Sequence, residues 1–176
     1  MADRQDLARR ILEVAELHGT FLLRSGATSD TYFDKYQFES DPAILRDIAE
    51  GMSASIPEGT EMLAALEMGG IPIATIISQM TGLPVLFVRK KAKEYGTCKF
   101  AEGPDPKGRK LLIIEDVVTS GGQIIISTKQ LRELGAEVDT ALCVIDREAG
   151  GREKLADEGI ALRALFTRSA LEAARA

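Results

Sequence analysis

The chain of 176 residues has one histidine, His18, and two cysteines, Cys98 and Cys143. A single imidazole excludes a histidine-built metal site and a Ser-His-Asp triad. Cys98 lies in a polar stretch and Cys143 in an apolar one, so both read as reduced thiols of a cytoplasmic protein, outside any disulfide framework or metal site. No run approaches the roughly 18 apolar residues that a membrane helix needs. The opening MADRQDLARR places Asp3, Arg4, Asp6, Arg9 and Arg10 where a signal peptide would be apolar. No membrane partner is expected. Internal repeats, low-complexity tracts and Pro/Gly/Ser-rich linkers are also missing, which predicts one domain over residues 1–176. The patterns GxxxxGK[ST] and GxGxxG are absent, so neither a P-loop nor a dinucleotide fingerprint competes for the reading. The net charge of −5 argues against a nucleic-acid partner.

What is present is a regular alternation. Leu7, Ile11, Val14, Ala15 and Leu17 recur at helical spacing, predicting a helix over 3–18 closed by Gly19. FLLRSG and TYFDKY read as two extended pieces around a turn at Gly26. Asp41-Pro42 supplies an N-cap and a first-turn proline for a helix running to about Ser55. Strands follow at MLAALE (62–67), PVLFVRK (84–90), LLIIE (111–115), VDTALCVID (138–146) and IALRALF (160–166). Between them lie helical segments after Gly69-Gly70, over 123–134 and around 150–158. Continuous apolar strands alternating with helices predict an α/β fold with a mainly parallel central sheet flanked by helices. In such folds ligands bind beyond the carboxyl ends of the strands.

The segment LLIIEDVVTSGGQ, residues 111–123, is the most informative. Glu115 and Asp116 stand at the tip of a four-residue apolar strand. Val117 and Val118 follow, and then Thr119, Ser120, Gly121, Gly122 and Gln123 enter a helix. A tight loop of small residues at a helix N-terminus aims backbone N–H groups at one point, where the helix dipole adds positive potential. That is a cradle for a monophosphate. Two carboxylates beside it are useful only if they face hydroxyl groups or a Mg²⁺ ion bridging hydroxyls and a second phosphate. A ribose 5-phosphate satisfies both halves of the motif.

Between Arg89 and Lys110 eight Lys/Arg stand against three Asp/Glu, a basic segment inside an acidic chain. It has no structural period and carries Gly96, Gly103 and Gly108, as expected of a lid over an anionic leaving group.

Residues 111–123 resemble the PRPP-binding signature of the type I phosphoribosyltransferases. With FLLRSGATSDTYFD (21–34), FVRKKAKEYG (87–96) and VIDREAGGRE (144–153), the chain resembles the orotate phosphoribosyltransferases over roughly residues 5–170. The resemblance implies the type I phosphoribosyltransferase fold, with an N-terminal helix and hood over about 1–40, a core sheet over about 60–166 and a mobile lid over 89–110. It implies transfer of the phosphoribosyl group of PRPP to orotate N1, with Mg²⁺ required and held mainly by PRPP near Glu115 and Asp116. PRPP would be bound by Arg89, Lys90, Lys93 and Tyr95, by Glu115 and Asp116, and by Val117, Val118, Thr119, Ser120, Gly121, Gly122 and Gln123. Lys93 would meet the leaving diphosphate, while Glu115 and Asp116 would hold the ribose hydroxyls. Orotate would be bound by Arg24, Tyr32, Phe33, Thr119 and Arg147, the last pairing with its carboxylate. A homodimer is implied in which the lid of one subunit serves the site of the other. The sequence departs from the family's pattern at four places. Arg24 replaces a lysine, Tyr95 a histidine, Glu115 an aspartate, and Met68-Gly69 a Tyr-Lys pair. Two alternatives share the cradle: transfer to another nucleobase, and a non-catalytic regulator that senses PRPP.

Overall fold

A computed structural model describes residues 3–22, 26–91 and 99–175. The chain opens with α1 (Arg4–Ala15), whose N-cap Asp3 accepts a hydrogen bond from Gln5 N at 3.1 Å. Leu7, Ala8, Ile11, Leu12 and Ala15 form its buried stripe. The helix ends three residues before the predicted boundary. Glu16 turns extended and begins β1 (Glu16–Leu22), which pairs antiparallel with β2 (Thr28–Phe33). Leu17 and His18 face Tyr32 and Thr31 across this ladder, so strand pairing outcompetes the helical period there. A short helix unforeseen in the sequence follows, α2 (Lys35–Ser40), because Asp34 caps it by accepting from Tyr36 N. Asp41 caps α3 (Pro42–Ser53) in the same way, through Ala43 N and Ile44 N.

The remaining elements build the sheet: β3 (Met62–Leu66), α4 (Gly70–Thr81), β4 (Val85–Val88), β5 (Ala101–Glu102), β6 (Lys110–Val118), α5 (Gly122–Glu133), β7 (Glu137–Asp146), α6 (Gly151–Asp157), β8 (Ala161–Thr167) and α7 (Arg168–Ala173). The strand order is β5-β4-β3-β6-β7-β8, parallel throughout except for β5 at one edge. β5 lies within the segment read as an unbroken lid over 89–110. Two residues there return to pair with Phe87 and Val88, so the described part of that segment is partly strand. α7 was likewise not foreseen; it starts where Thr167 accepts from Ala170 N.

Side chains alternate across the sheet, as a strand period of two requires. Leu63, Ala65, Leu112 and Ile114 pack with α1, α3 and α4 on one face. Met62, Ala64, Ile113 and Cys143 pack with α5 and α6 on the other. The sheet is therefore covered on both sides. Chain order reverses between β3 and β6, where β4 lies to one side and β7 to the other. Such a reversal is the place where parallel sheets bind ligands, beyond the carboxyl ends of the strands. Among the described residues no helix is long and apolar enough to cross a membrane.

Candidate active site

β6 runs three residues further than its apolar core suggested, to Val118, because β7 stays hydrogen-bonded to it as far as the pair Val118–Asp146. Glu115 and Asp116 therefore stand inside a strand, not beyond its tip. Being adjacent, they serve different surroundings. Glu115 lines a groove of about 180 Å³ with residues 117–124. Asp116 is buried, and its Oδ2 accepts from Lys35 Nζ at the start of α2. Its Oδ1 accepts from Val117 N.

The groove ends on the N-terminus of α5. Gly121 takes φ +71° before the first turn, and no side chain caps the helix. The first N–H groups of α5 thus lack intrahelical acceptors and face the groove as an anion site. Thr119 and Ser120 are exposed beside them.

A second cavity, of about 350 Å³, opens on the other side of Val117. Tyr32 and Phe33 of β2, Val117 and Ile145 of the sheet, Arg147, and Arg168 of α7 are among the residues that line it. Tyr32 is 45% exposed and stacks obliquely on Phe21, with ring centroids 5.5 Å apart. Arg147 is held at its backbone by a hydrogen bond from its N to Val118 O at 2.9 Å. The loop that carries it is fixed on both sides. Buried Asp146 accepts from Arg152 Nη2 at 3.0 Å through Oδ2, and from Glu148 N at 2.9 Å through Oδ1. Glu148 has φ +54°, and its Oε2 accepts from Ser169 N and Ser169 Oγ in α7.

The electrostatics centre on Asp116. Glu39, one turn beyond Lys35 in α2, is buried, and its Oε1 has no hydrogen-bond partner among the described residues. Burial first, and then the charge of Asp116, push the Glu39 carboxyl up to about 8. The same two causes, in the same order, push Glu115 up to about 8. Lys35 is raised because its ion pair with Asp116 outweighs the opposing effect of burial, the largest single influence.

A phosphoribosyl transferase domain model matches residues 36–162. An orotate phosphoribosyltransferase of Nocardioides sp. is 53% identical over 169 residues, 96% of this chain and 94% of its own. The chain belongs to the orotate phosphoribosyltransferase family. A second family member, from Methanocella arvoryzae, is 45% identical over 87% of both chains. The solved orotate phosphoribosyltransferase of Mycobacterium tuberculosis H37Rv superposes with a TM-score of 0.85 at 27% identity, covering 96% of this chain and 98% of its own.

Within this family member, the residues singled out by sequence separate into groups. Tyr32, Phe33, Val117 and Arg147 come together in the larger cavity. Glu115 and Val117 to Gln123 come together in the groove, Thr119 among them and apart from the aromatic pair. Arg89 and Lys90 line neither cavity; they leave the end of β4 and engage Glu67 after β3. Lys90 N donates to Glu67 Oε1, and Arg89 Nη1 lies 3.9 Å from Oε2. Arg24, Lys93 and Tyr95 lie outside the described residues. Sequence reasoning missed Lys35, Glu39, Glu148 and Arg168. Lys35 follows directly on Phe33-Asp34, so the capping aspartate was the signal that could have placed it at a helix start facing the sheet.

Proposed function

We propose that this chain transfers the 5-phosphoribosyl group of PRPP to orotate, giving orotidine 5′-monophosphate and diphosphate. One observation carries the reading: Val117 lines both the phosphate-type groove and the aromatic and arginine-lined cavity, so the two share a wall at the end of β6. A ribosyl group bridging a 5′-phosphate and a base needs that adjacency. The N–H groups and hydroxyls of residues 117–122 hold the 5′-phosphate, and Glu115 and Asp116 accept from the ribose hydroxyls. Tyr32 and Phe33 cover the base, and Arg147 takes its carboxylate in a two-point guanidinium contact. Arg24 completes the base contacts, and Arg89, Lys90, Lys93 and Tyr95 meet the diphosphate.

Orotate N1 attacks the anomeric carbon as the bond to diphosphate breaks; the electron pair leaves with the diphosphate, and the N1 proton passes to water or to a diphosphate oxygen. Positioning and charge neutralisation drive this step. Mg²⁺ fits as an ion carried by the diphosphate oxygens. Among the described residues no three His, Cys, Asp or Glu converge to hold a metal, and Asp116 is committed to Lys35. When bound, the ion would neutralise the diphosphate charge, and Glu115 is the carboxyl group that lines the groove beside it. A homodimer in which each lid serves the partner site belongs to the same proposal, and sedimentation at twice the monomer mass is its check.

The test is the loss of orotate absorbance on mixing chain, orotate, PRPP and Mg²⁺. R147A is expected to raise the orotate KM about 30-fold, the equivalent of roughly 2 kcal/mol from one charge-assisted pair, with the PRPP KM little changed. Turnover of another base in place of orotate would move the chain to a sibling transferase. PRPP binding without turnover of any base would make it a sensor.

A further inference from the structure

The Asp116 carboxylate is crowded by its own kind. Glu115 precedes it in β6, and Glu39 reaches it from α2; both are pushed up by burial and by the charge of Asp116. Three acids thus share the junction between hood and sheet, and among the described residues Lys35 is the cation that touches Asp116. A buried carboxylate is tolerated when it is paired and hydrogen-bonded. The ion pair with Lys35 singles out Asp116 as the member of the cluster that is matched by a positive charge.

No side chain of the loop after β3 can supply that cation from position 69. A Cβ on Gly69 would stand 1.4 Å from Asp116 Oδ2 and 2.3 Å from its Cγ. The carboxylate fills the space that any residue other than glycine would need. The cation instead comes from the hood, on the helix capped by Asp34 and two residues after Phe33, which walls the base cavity. The Lys35 side chain is about one-third exposed, whereas that of Asp116 is 1% exposed, so the ammonium sits on the open side of the pair. With Oδ2 on Lys35 and Oδ1 on Val117 N, the plane of the carboxylate is fixed.

We propose that Lys35 is a positioning residue of the ribosyl site, which acts through Asp116 by holding that carboxylate in the orientation that accepts the ribose hydroxyls of PRPP. The inference rests on the reading that Asp116 contacts the ribose, and the test separates the two.

Steady-state kinetics with each substrate varied in turn are measured for K35Q, K35R, D116N and the double variant K35Q/D116N, with thermal unfolding alongside. K35Q raises the PRPP KM about tenfold or more, as loss of one charged hydrogen bond does, and leaves the orotate KM within about twofold. K35R, which keeps the cation, restores the PRPP KM to within about threefold of the parent. The double variant is no worse than D116N alone, because a residue acting through another adds nothing once that other is gone. If K35Q does not fold, K35M keeps the aliphatic stem and carries the same comparison. A raised PRPP KM in D116N with none in K35Q overturns the role of Lys35 and leaves the ribose reading intact. Equal losses for both substrates, unrescued by arginine, reduce Lys35 to a tether between hood and sheet. An unchanged PRPP KM in D116N removes the ribose reading, and the inference with it.

Discussion

At the scale of single residues, Gly69 and Asp116 are one feature. The close approach of the Asp116 carboxyl to the Gly69 backbone explains why no larger residue fits there. Gly70 is under the same constraint, since a Cβ there would lie 2.2 Å from Ile114 O. G69A is therefore expected to push Asp116 out of place or to lift the loop off β6. Overpacking of this kind costs about 1–3 kcal/mol, or roughly 2–12 °C in Tm for a chain of this size. The PRPP KM should rise while the orotate KM holds, since neither Gly69 nor Asp116 lines the cavity of Tyr32, Phe33 and Arg147. An alanine variant with parental Tm and PRPP KM would show that the carboxylate has freedom the packing denies it. Glu115 and Asp116 were legible from the sequence as a pair, but not their division of labour. That depends on strand alternation continuing past Ile114, which the pairing of β6 with β7 imposes and the residues 111–118 alone do not reveal.

At the scale of elements, the sequence spelled out what long apolar runs and capping residues control. β3, β7 and β8 and helices α3 to α6 lie close to where periodicity, Asp41-Pro42 and Gly135 put them. Among the misses, the end of α1 is decided by pairing of β1 with β2 and β5 by the edge of β4. The short helices α2 and α7 start on the local caps Asp34 and Thr167, and α7 is further held by Glu148. This last contact is also testable. Glu148 keeps a left-handed backbone that costs an ordinary residue about 1 kcal/mol or more. Its carboxylate offsets the cost by binding Ser169 N and Oγ, clamping the Arg147 loop to the helix that bears Arg168. E148A should raise the orotate KM about fivefold to tenfold, corresponding to roughly 1 kcal/mol lost in aiming Arg147, with the PRPP KM unchanged. E148G, which relieves the backbone but not the clamp, should fall between. Parental orotate KM in E148A would mean that Asp146 and Arg152 hold the loop without help.

At the scale of the whole molecule, the hood and the sheet meet over a patch of acids, and their join should weaken as pH rises. Glu39 and Glu115 are pushed up to about 8, whereas an unfolded chain leaves a glutamate near 4.5. Between those values the folded state holds protons that the unfolded state has released. Stability is therefore fully present below about 4.5 and is lost as pH climbs through about 8, at up to roughly 1.4 kcal/mol per pH unit for each proton so retained. Asp139 and Glu148 are shifted down and act in the opposite sense, but both are exposed side chains screened by water. Calorimetry across pH 5 to 8.5 should thus show Tm falling toward the alkaline end, by about 2–4 °C for each kcal/mol lost. E39Q, which keeps the shape and cannot ionise, should flatten that fall. It should leave the low-pH Tm close to the parent, because Glu39 is already uncharged there. A Tm that rises with pH, or a slope that E39Q does not change, would place the pH sensitivity elsewhere than this join. A flattened slope would place the pH dependence of stability at the junction of α2 with β6, where Glu39 meets Asp116.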